Sequence, residues 1–281
     1  MSSYPACKIN TVDEQLNILQ ITDMHLSTPF TVGGTNALEN NEEQCQYRFE
    51  ASLKQALAED IRCDLILITG DLVSKVDTVT YDYIFELLNE TQIPFACIAG
   101  NHDVTDESDH DLPFGQRQLI ARSIDSRLLN QHVIETANWQ LLLLDSSISG
   151  KISGEVTDTD IDWLCRQLDS CDKPALLALH HHVLPMYSEW IDDHMVENAE
   201  YFWQRITPYS QLRVIISGHT HQEQVRYRNG VTIYSTPSTC YQFMPLRDDF
   251  SYDKQAQSGY RWLQLANNGS LASWVKRLDT W

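Results

Sequence analysis

Residue types that bind metal ions follow apolar segments at five places along this sequence. They are carboxylates, imidazoles and one amide: Asp23, His25, Asp71, Asn101, His180, His219 and His221. Each preceding segment has the length and composition of a short buried strand. In open α/β sheets, functional groups collect outside the carboxyl ends of the strands. We therefore expect these side chains to lie together at one edge of a sheet.

Two of the segments end in pairs with one residue between the members, Asp23-x-His25 and His219-x-His221. Alternate residues of an extended chain point to the same side, so both members of a pair can reach one centre. Carboxylate oxygen and imidazole nitrogen suit zinc, manganese, iron or nickel. Cysteine is missing from these strand ends, which argues against a structural zinc–thiolate site. Seven ligands suit two ions that share a carboxylate, and Asp71, alone after Gly70, is the natural bridge.

A purely structural explanation is open for single members of this set. A lone histidine at a strand end is usually a satisfied structural residue, and His181 and His182 could be of this kind. Asn101, His102 and Asp103 taken alone could form an ordinary polar turn. The recurrence at five strand ends, rather than any one of them, favours a metal centre.

The chain resembles the calcineurin-like metallophosphoesterases in motifs that occur in the same order: Asp23-x-His25, Gly70-Asp71, Gly100-Asn101-His102-Asp103, His180-His181 and Gly218-His219-x-His221. Residues 141–146, 177–185 and 235–243 also look like those of the bacterial class III 3′,5′-cyclic-AMP phosphodiesterases. The resemblance runs from about Ile18 to a C-terminal hairpin. The fold it implies is α/β, with two packed mixed β-sheets flanked by helices in an α/β/β/α sandwich.

The resemblance also implies two divalent metal ions, with iron or manganese favoured and zinc possible. One ion would take Asp23, His25, His221 and the shared Asp71. The other would take Asp71, Asn101, His180 and His219. The substrate would contact His25, Asp71, Asn101, His102 and His221. The reaction implied is hydrolysis of 3′,5′-cyclic AMP to 5′-AMP, by in-line attack of a hydroxide that bridges the two ions.

His102 is the candidate catalytic residue. Successive residues of an extended chain point apart, so the His102 side chain does not easily reach the ion that Asn101 would bind. It is therefore predicted to act as a general acid or as a contact to the phosphate. The neighbouring Asp103 is the carboxylate expected to orient it.

Other functions remain open at this point. The chain could be a phosphomonoesterase, a hydrolase of other nucleotide or lipid diesters, or a family member that binds but does not catalyse. Protein phosphatases continue Gly-Asp with Asp-Arg-Gly, whereas residues 72–75 here are Leu-Val-Ser-Lys. The missing arginine argues against phosphoprotein substrates, because arginine binds a dianionic phosphate bidentately. The basic amphipathic helix expected of a membrane-bound lipid hydrolase is also missing.

The charge balance limits the partners. The 281 residues include 20 lysines and arginines against 39 aspartates and glutamates, a net charge of −19. Such a surface repels nucleic acid and anionic membranes, so we expect neither as a partner. The sequence gives no basis for inferring a protein partner. The expected partner is a small-molecule cyclic nucleotide. Two divalent ions, two carboxylates and a hydroxide leave the site at about +1, which attracts a phosphodiester anion.

The cysteines and the N-terminus indicate a cytoplasmic protein. There are seven cysteines and no Cys-x-x-Cys pair, and a core of this size needs no disulfide. Cys63 and Cys97 have the surroundings of small core residues, which fits a reducing compartment. The first residues carry no apolar signal segment, and no apolar run approaches the length of a membrane span.

The elements that must position the candidate site alternate between strand and helix. Apolar periodicity predicts helices around residues 49–57, 81–88, 157–168 and 198–209, the third capped by Thr157 and Asp160. Alternation of this kind predicts a largely parallel core. We expect one metallophosphoesterase domain over residues 1–281 that includes a C-terminal hairpin at about 260–277.

Four connecting segments complete the prediction. Residues 1–14 should be loosely held, and residues 104–115 should form a solvated acidic loop. The long polar connection 26–46 is either a solvated insertion or a functional loop beside the site. Trp190 either stacks on a nucleobase or packs its own loop.

Overall fold

The computed structural model describes residues 6–9, 15–27, 41–104, 109–117 and 127–279, without the side chains of 41–43 and 115. The strands in chain order are β1 (Cys7–Lys8), β2 (Gln15–Ile21), β3 (Leu65–Thr69), β4 (Phe95–Ile98), β5 (Val133–Glu135), β6 (Gln140–Leu143), β7 (Ala175–Ala178), β8 (Leu212–Ser217), β9 (Gln224–Arg228), β10 (Val231–Ser235), β11 (Gly259–Ala266) and β12 (Leu271–Arg277). The helices are α1 (Asn41–Leu57), α2 (Thr78–Glu90), α3 (Asp158–Asp169), α4 (Glu189–Asp192) and α5 (Ala199–Ile206), with a 3₁₀ turn at Phe114–Gln116.

The strands form two mixed sheets. One has seven strands in the order β1-β5-β6-β7-β8-β10-β9, and the other has five in the order β12-β11-β2-β3-β4. In the five-stranded sheet β2, β3 and β4 run parallel, while β11 and β12 form an antiparallel hairpin that joins the sheet at β2. The predicted C-terminal hairpin thus belongs to a sheet that carries part of the candidate site. That the whole chain forms one domain stays a prediction.

Three apolar layers hold the sheets and helices together. Leu16 and Ile18 of β2 point into a core between the two sheets, where they join Ile216 of β8. The alternate residues Leu19 and Ile21 point outward into a second core that includes residues of α1 and α2. A third core lies between the seven-stranded sheet and the helices α3 and α5. Strands buried on both faces give continuous apolar runs in the sequence, and the predicted α/β/β/α sandwich is confirmed.

Most predicted elements are confirmed, but three segments differ. Residues 7–8 are not loose, because β1 pairs in parallel with β5. Helix α1 begins at Asn41, so the end of the connection predicted at 26–46 is helical, and residues 28–40 lie outside the described residues. In the predicted acidic loop, Phe114 is buried in the core beneath α2, while 105–108 are outside the described residues. Thr157 caps α3 through the main-chain N–H of Asp160, as predicted.

One cysteine pair departs from the expectation that the chain forms no disulfide. Cys45 of α1 and Cys240, which follows β10, are joined across 195 residues with their Cα atoms 4.4 Å apart. Sequence spacing cannot reveal this pair, because the packing of α1 beside the segment after β10 creates it. Cys7, Cys63, Cys97, Cys165 and Cys171 are not part of a disulfide. Within the described part of the chain, no helix has the length and apolar character needed to cross a membrane.

Candidate metal centre

The predicted site residues from both sheets meet at one place. β2, β3 and β4 lead to Asp23 and His25, to Asp71 and to Asn101, while β7 and β8 lead to His180 and to His219 and His221. Apart from Asn101, which is half-buried, each of these side chains is at least 95% buried. The carboxyl ends of five strands therefore deliver the predicted donors to one edge shared by the two sheets.

Asp71 stands between two groups of donors. On one side, Nε2 of His25 lies 3.6 Å from Asp71 Oδ2, and Nε2 of His221 lies 3.1 Å from that of His25 and 3.2 Å from Asp23 Oδ1. On the other side, Nε2 of His180 lies 3.4 Å from Asp71 Oδ2. The carboxylate of Asp71 is therefore within reach of both groups, as expected of a shared ligand.

The second group is completed by Asn101 and His219. Asn101 Oδ1 lies 3.3 Å from His180 Nε2. The His219 ring centre lies 5.1 Å from that of His180, and its Nε2 atom is buried without a hydrogen-bond partner. A buried nitrogen left without a partner costs free energy unless a ligand satisfies it. His219 is therefore placed to bind a ligand.

Main-chain carbonyls orient the imidazoles. His180 Nδ1 lies 2.8 Å from the Thr69 carbonyl, and His221 Nδ1 lies 2.7 Å from the Tyr241 carbonyl. A carbonyl only accepts, so each Nδ1 carries the proton and donates it. This leaves the Nε2 atoms to face the centre, which is the usual outer-shell arrangement of a metal-binding histidine.

The backbone at these positions is left-handed rather than extended. Asp23, His25, Asp71, His219 and His221 have φ between 46° and 65°. Such a conformation costs about 1–3 kcal/mol for a residue other than glycine and concentrates at functional sites. The pairs Asp23-x-His25 and His219-x-His221 do converge, but the predicted reason, an extended chain, is wrong. β2, β3 and β8 each end in a sharp turn that directs these side chains at the centre.

Glycines allow the two sheets to approach at this point. A Cβ atom on Gly70, whose φ is +95°, would collide with the His180 ring and the Gly100 main chain. A Cβ atom on Gly218 would collide with the Thr22 hydroxyl and the Asp23 carboxylate. Both positions need glycine because donors from the opposite sheet pass directly over them.

Electrostatics of the centre are dominated by burial and by pairing between carboxylate and imidazole. Burial lowers the pKa of His180, but the adjacent Asp71 carboxylate outweighs this and raises that pKa to about 10. Burial would raise the pKa of Asp71, but His180 and His25 hold it well below its usual value. For His25 burial prevails, and its pKa falls to about 3. The centre thus holds ionised carboxylates, and the proton that Asp71 keeps on His180 would be released when a cation binds there.

His102 stands at the exposed rim of the centre. Its Nδ1 lies 2.7 Å from the Ser74 carbonyl, and its ring meets the His25 ring edge to face with centres 4.8 Å apart. Its main-chain N–H donates to Asp71 Oδ1 at 2.9 Å. The Ser74 carbonyl accepts the proton of Nδ1, so Nε2 is the nitrogen left for a substrate.

The expectation that Asp103 orients His102 is wrong. Asp103 is fully buried and accepts from the Gly100 and Leu72 main-chain N–H groups and from the Tyr81 hydroxyl, at 3.0, 3.1 and 2.8 Å. Burial and the nearby Asp71 raise its pKa to about 6. Asp103 therefore holds the loop after β4 in place, and the Ser74 carbonyl takes the role that was predicted for Asp103.

His181 has no ring nitrogen left for a metal, although it lies beside His180 and His219. Its main-chain N–H donates to Ser146 Oγ, and its Nδ1 accepts from the Ser146 hydroxyl at 2.8 Å because Nε2 carries the ring proton. Nε2 then donates to the Ile152 carbonyl at 3.0 Å. This bears out the structural explanation for His181. His182 is buried and stacks on His219 with ring centres 5.8 Å apart.

Trp190 packs against aromatic residues of the segment that follows β10. Its ring meets those of Phe243 and Phe250 edge to face, with centres 5.0 and 5.1 Å apart. Phe243 in turn stacks on His221 at 4.2 Å. These aromatic rings wall the centre on the side of α4. Ser74 and Tyr241 could not be predicted from the sequence, because each contributes only its main-chain carbonyl, a group that every residue has.

Comparison with known proteins agrees with this geometry. Residues 16–223 match the family described as calcineurin-like phosphoesterase. The chain belongs to that family. Among its family relatives, a protein of Psychrobacter arcticus named probable cyclic nucleotide phosphodiesterase is 64% identical over 280 residues, 100% of both chains. A protein of Pseudomonas aeruginosa named 3′,5′-cyclic adenosine monophosphate phosphodiesterase CpdA is 33% identical, over 95% of this chain and 92% of its own.

Solved structures of similar shape support the fold. A dimetal phosphatase from Danio rerio superposes with a TM-score of 0.54 over 94% of this chain and 99% of its own, at 15% identity. A purple acid phosphatase from yellow lupin gives 0.54 over 94% of this chain and 54% of its own, at 12% identity. Identities this low establish the shared fold alone.

Proposed function

We propose that this chain is a metal-dependent phosphodiesterase that hydrolyses 3′,5′-cyclic AMP to 5′-AMP. The position of Asp71 between two groups of buried donors is the observation that carries the proposal. The substrate is taken from the relatives, whose names specify a cyclic nucleotide or 3′,5′-cyclic adenosine monophosphate. The net charge of −19 argues against nucleic acid or an anionic membrane as the partner. A small anion can still be held where the metal ions make the site locally positive.

The donor sets fit two divalent ions, for which we favour iron or manganese. Asp23, His25, His221 and Asp71 would hold one ion. Asp71, Asn101, His180 and His219 would hold the other, which would satisfy the otherwise unpartnered His219 Nε2. Bound ions would make water nucleophilic near neutral pH and neutralise charge on the phosphoryl oxygens.

The side chains of this protein supply orientation and a proton. His102 Nε2 stands at the rim of the centre, while Nδ1 is fixed on the Ser74 carbonyl. In its protonated form it is therefore placed to give the Nε2 proton to the ribose 3′ oxygen as that oxygen leaves the phosphorus. Hydrogen bonds to the Asp23 carboxylate from the His219 main-chain N–H (3.0 and 3.1 Å) and the Thr22 hydroxyl (2.7 Å) keep that ligand in one orientation.

Product analysis tests this function. Cyclic AMP, cyclic GMP, 2′,3′-cyclic AMP and p-nitrophenyl phosphate would each be incubated with the protein and Mn²⁺ or Fe²⁺, with and without a chelator. We expect metal-dependent conversion of cyclic AMP to 5′-AMP, far ahead of the monoester. If the monoester is cleaved and cyclic AMP is not, the proposed substrate is wrong and the protein is a phosphomonoesterase. No hydrolysis at all by metal-loaded protein would indicate a binding protein.

A further inference from the structure

A cavity of 510 Å³ lies beside the metal centre, between α1 and residues 240–258. This volume falls within the range of pockets that bind small molecules. The lining residues that matter for recognition are Gln44, Arg48, Tyr241, Gln242, Tyr252 and Lys254. The Cys45–Cys240 disulfide also lines the cavity and ties its two walls together.

Tyr241 is the wall that the cavity shares with the metal centre. Its ring stacks on the His25 ring with centres 5.1 Å apart, and it lies 4.8 Å from the ring of His221. The Tyr252 ring meets Tyr241 edge to face at 5.1 Å. Tyr241 therefore borders both the metal centre and the cavity.

We propose that this cavity binds the nucleoside half of the cyclic nucleotide, with its base against Tyr241 and Tyr252. The proposal deepens the proposed function and rests on it. Tyrosine rings offer stacking faces to a base. The amide of Gln44 belongs to the side-chain class that hydrogen-bonds base edges, whereas the amide of Gln242 is held by the Ser238 carbonyl and by Arg277. Arg48 and Lys254 outnumber the one lining carboxylate, Asp253, so the cavity does not repel the anionic cyclic nucleotide as it approaches, although the chain is acidic.

Two other places suit a nucleoside less well. The rings of Trp190, Phe243 and Phe250 pack on one another and on His221, so they present no open slot between them. A second cavity, of 360 Å³, is lined by three acidic residues, Asp111, Asp145 and Glu155, against one arginine, Arg117. Its carboxylates would repel an anionic substrate.

The first test compares two substrates in the manganese-loaded full chain. Cyclic AMP carries a nucleoside, and bis(p-nitrophenyl) phosphate is a diester that lacks one. In Tyr252→Ala, the ratio of kcat/KM for cyclic AMP to kcat/KM for the simple diester should fall about tenfold, mainly through KM, because base–aromatic stacking is lost. Tyr227→Ala is the matched control, since Tyr227 is 75% exposed on β9 and does not line the cavity. An unchanged ratio in Tyr252→Ala would overturn the proposal, whether both rates fall or neither does.

The second test does not depend on a variant that folds. The wild-type chain loaded with Mn²⁺ would be irradiated with 8-azido-AMP, an analogue of the product, and the labelled residues mapped by mass spectrometry. Label on Tyr241, Gln242 or Tyr252 that excess AMP displaces supports the proposal. Label on Trp190 or the 360 Å³ cavity, or none that AMP displaces, overturns it. Wild-type protein that cleaves the simple diester but not cyclic AMP would instead refute the proposed function, while the labelling still decides the cavity.

Discussion

Two clusters of buried charge lie at neighbouring strand ends, and they are built differently. One is the metal centre around Asp71. The other, here called the ion cluster, consists of Arg117, His110, Asp145 and Asp160, with Asp145 just after β6. In the ion cluster, Arg117 pairs directly with Asp145, and His110 lies 3.6 Å from Asp145 and 3.4 Å from Asp160. The charges of the ion cluster thus neutralise one another.

The carboxylates of the metal centre are compensated only in part. Among the described residues, no lysine or arginine forms an ion pair with Asp23 or Asp71, and the groups facing these carboxylates are imidazoles. The left-handed backbone that presents them adds further strain. The difference teaches that burial of charge does not by itself mark a functional site. What marks it is a set of donors that converge and leave the compensating charge to a ligand.

The largest effect is expected from a substitution in the metal centre, which should abolish activity. Asp71→Asn removes the carboxylate shared by both proposed ions, so hydrolysis of cyclic AMP should fall by more than about 10³-fold, with loss of bound metal. Steady-state kinetics and metal analysis on the same sample would show this. Activity within tenfold of wild type would mean that Asp71 is not the shared ligand.

A second change separates metal binding from proton transfer within the centre. His102→Ala should keep both metal ions and lower kcat by about 10²- to 10⁴-fold, because the proposed proton donor is lost. Single-turnover kinetics on metal-loaded protein measures the step. Undiminished turnover with both ions retained would remove His102 from the catalytic role.

A third substitution, in the ion cluster, should lower stability and leave activity almost unchanged. Asp145→Asn leaves Arg117 buried without its carboxylate, so the free energy of unfolding should fall by about 3 kcal/mol. Metal content and kcat at 25 °C should stay within about threefold of wild type, since Asp145 contacts none of the proposed ligands. Urea denaturation and metal analysis give the two readouts. If Asp145→Asn lost as much activity as Asp71→Asn, the proposed difference between the two clusters would be wrong.

The smallest effect is a pH dependence confined to the ion cluster. Burial would raise the pKa of Asp145, but Arg117 and His110 lower it from 3.8 to about 2. A lowered pKa stabilises the fold above the unfolded value of 3.8, and this contribution fades as the pH falls toward 2. The stability gap between wild type and Asp145→Asn should therefore narrow by about 1 kcal/mol from pH 5 to pH 3. A gap that widens on acidification would contradict the assignment.

The strands and the donors could be predicted because burial on both faces and side-chain type are visible in a sequence. The five apolar segments and the seven donors at their ends needed no knowledge of the fold. The way they converge could not be predicted. The left-handed φ of Asp23 or His219 depends on contacts from the other sheet, so the extended chain assumed for the pairs was wrong.

Main-chain partners and distant pairs were also out of reach of sequence reasoning. The carbonyls of Ser74 and Tyr241 orient histidines through atoms that every residue possesses. Asp103 looked like a partner of His102 because it is the next residue, but the turn directs it toward Tyr81. The Cys45–Cys240 disulfide depends on packing between segments 195 residues apart.

The most direct test of the account is a metal titration of the wild-type chain with turnover followed on the same samples. Protein stripped by chelation would be titrated with Mn²⁺, bound metal counted by mass spectrometry, and conversion of cyclic AMP to 5′-AMP measured at each point. The account predicts that turnover rises as two ions per chain bind and that the chelator abolishes both. Full turnover in protein free of bound metal, or two bound ions with no hydrolysis of any phosphoester, would contradict it.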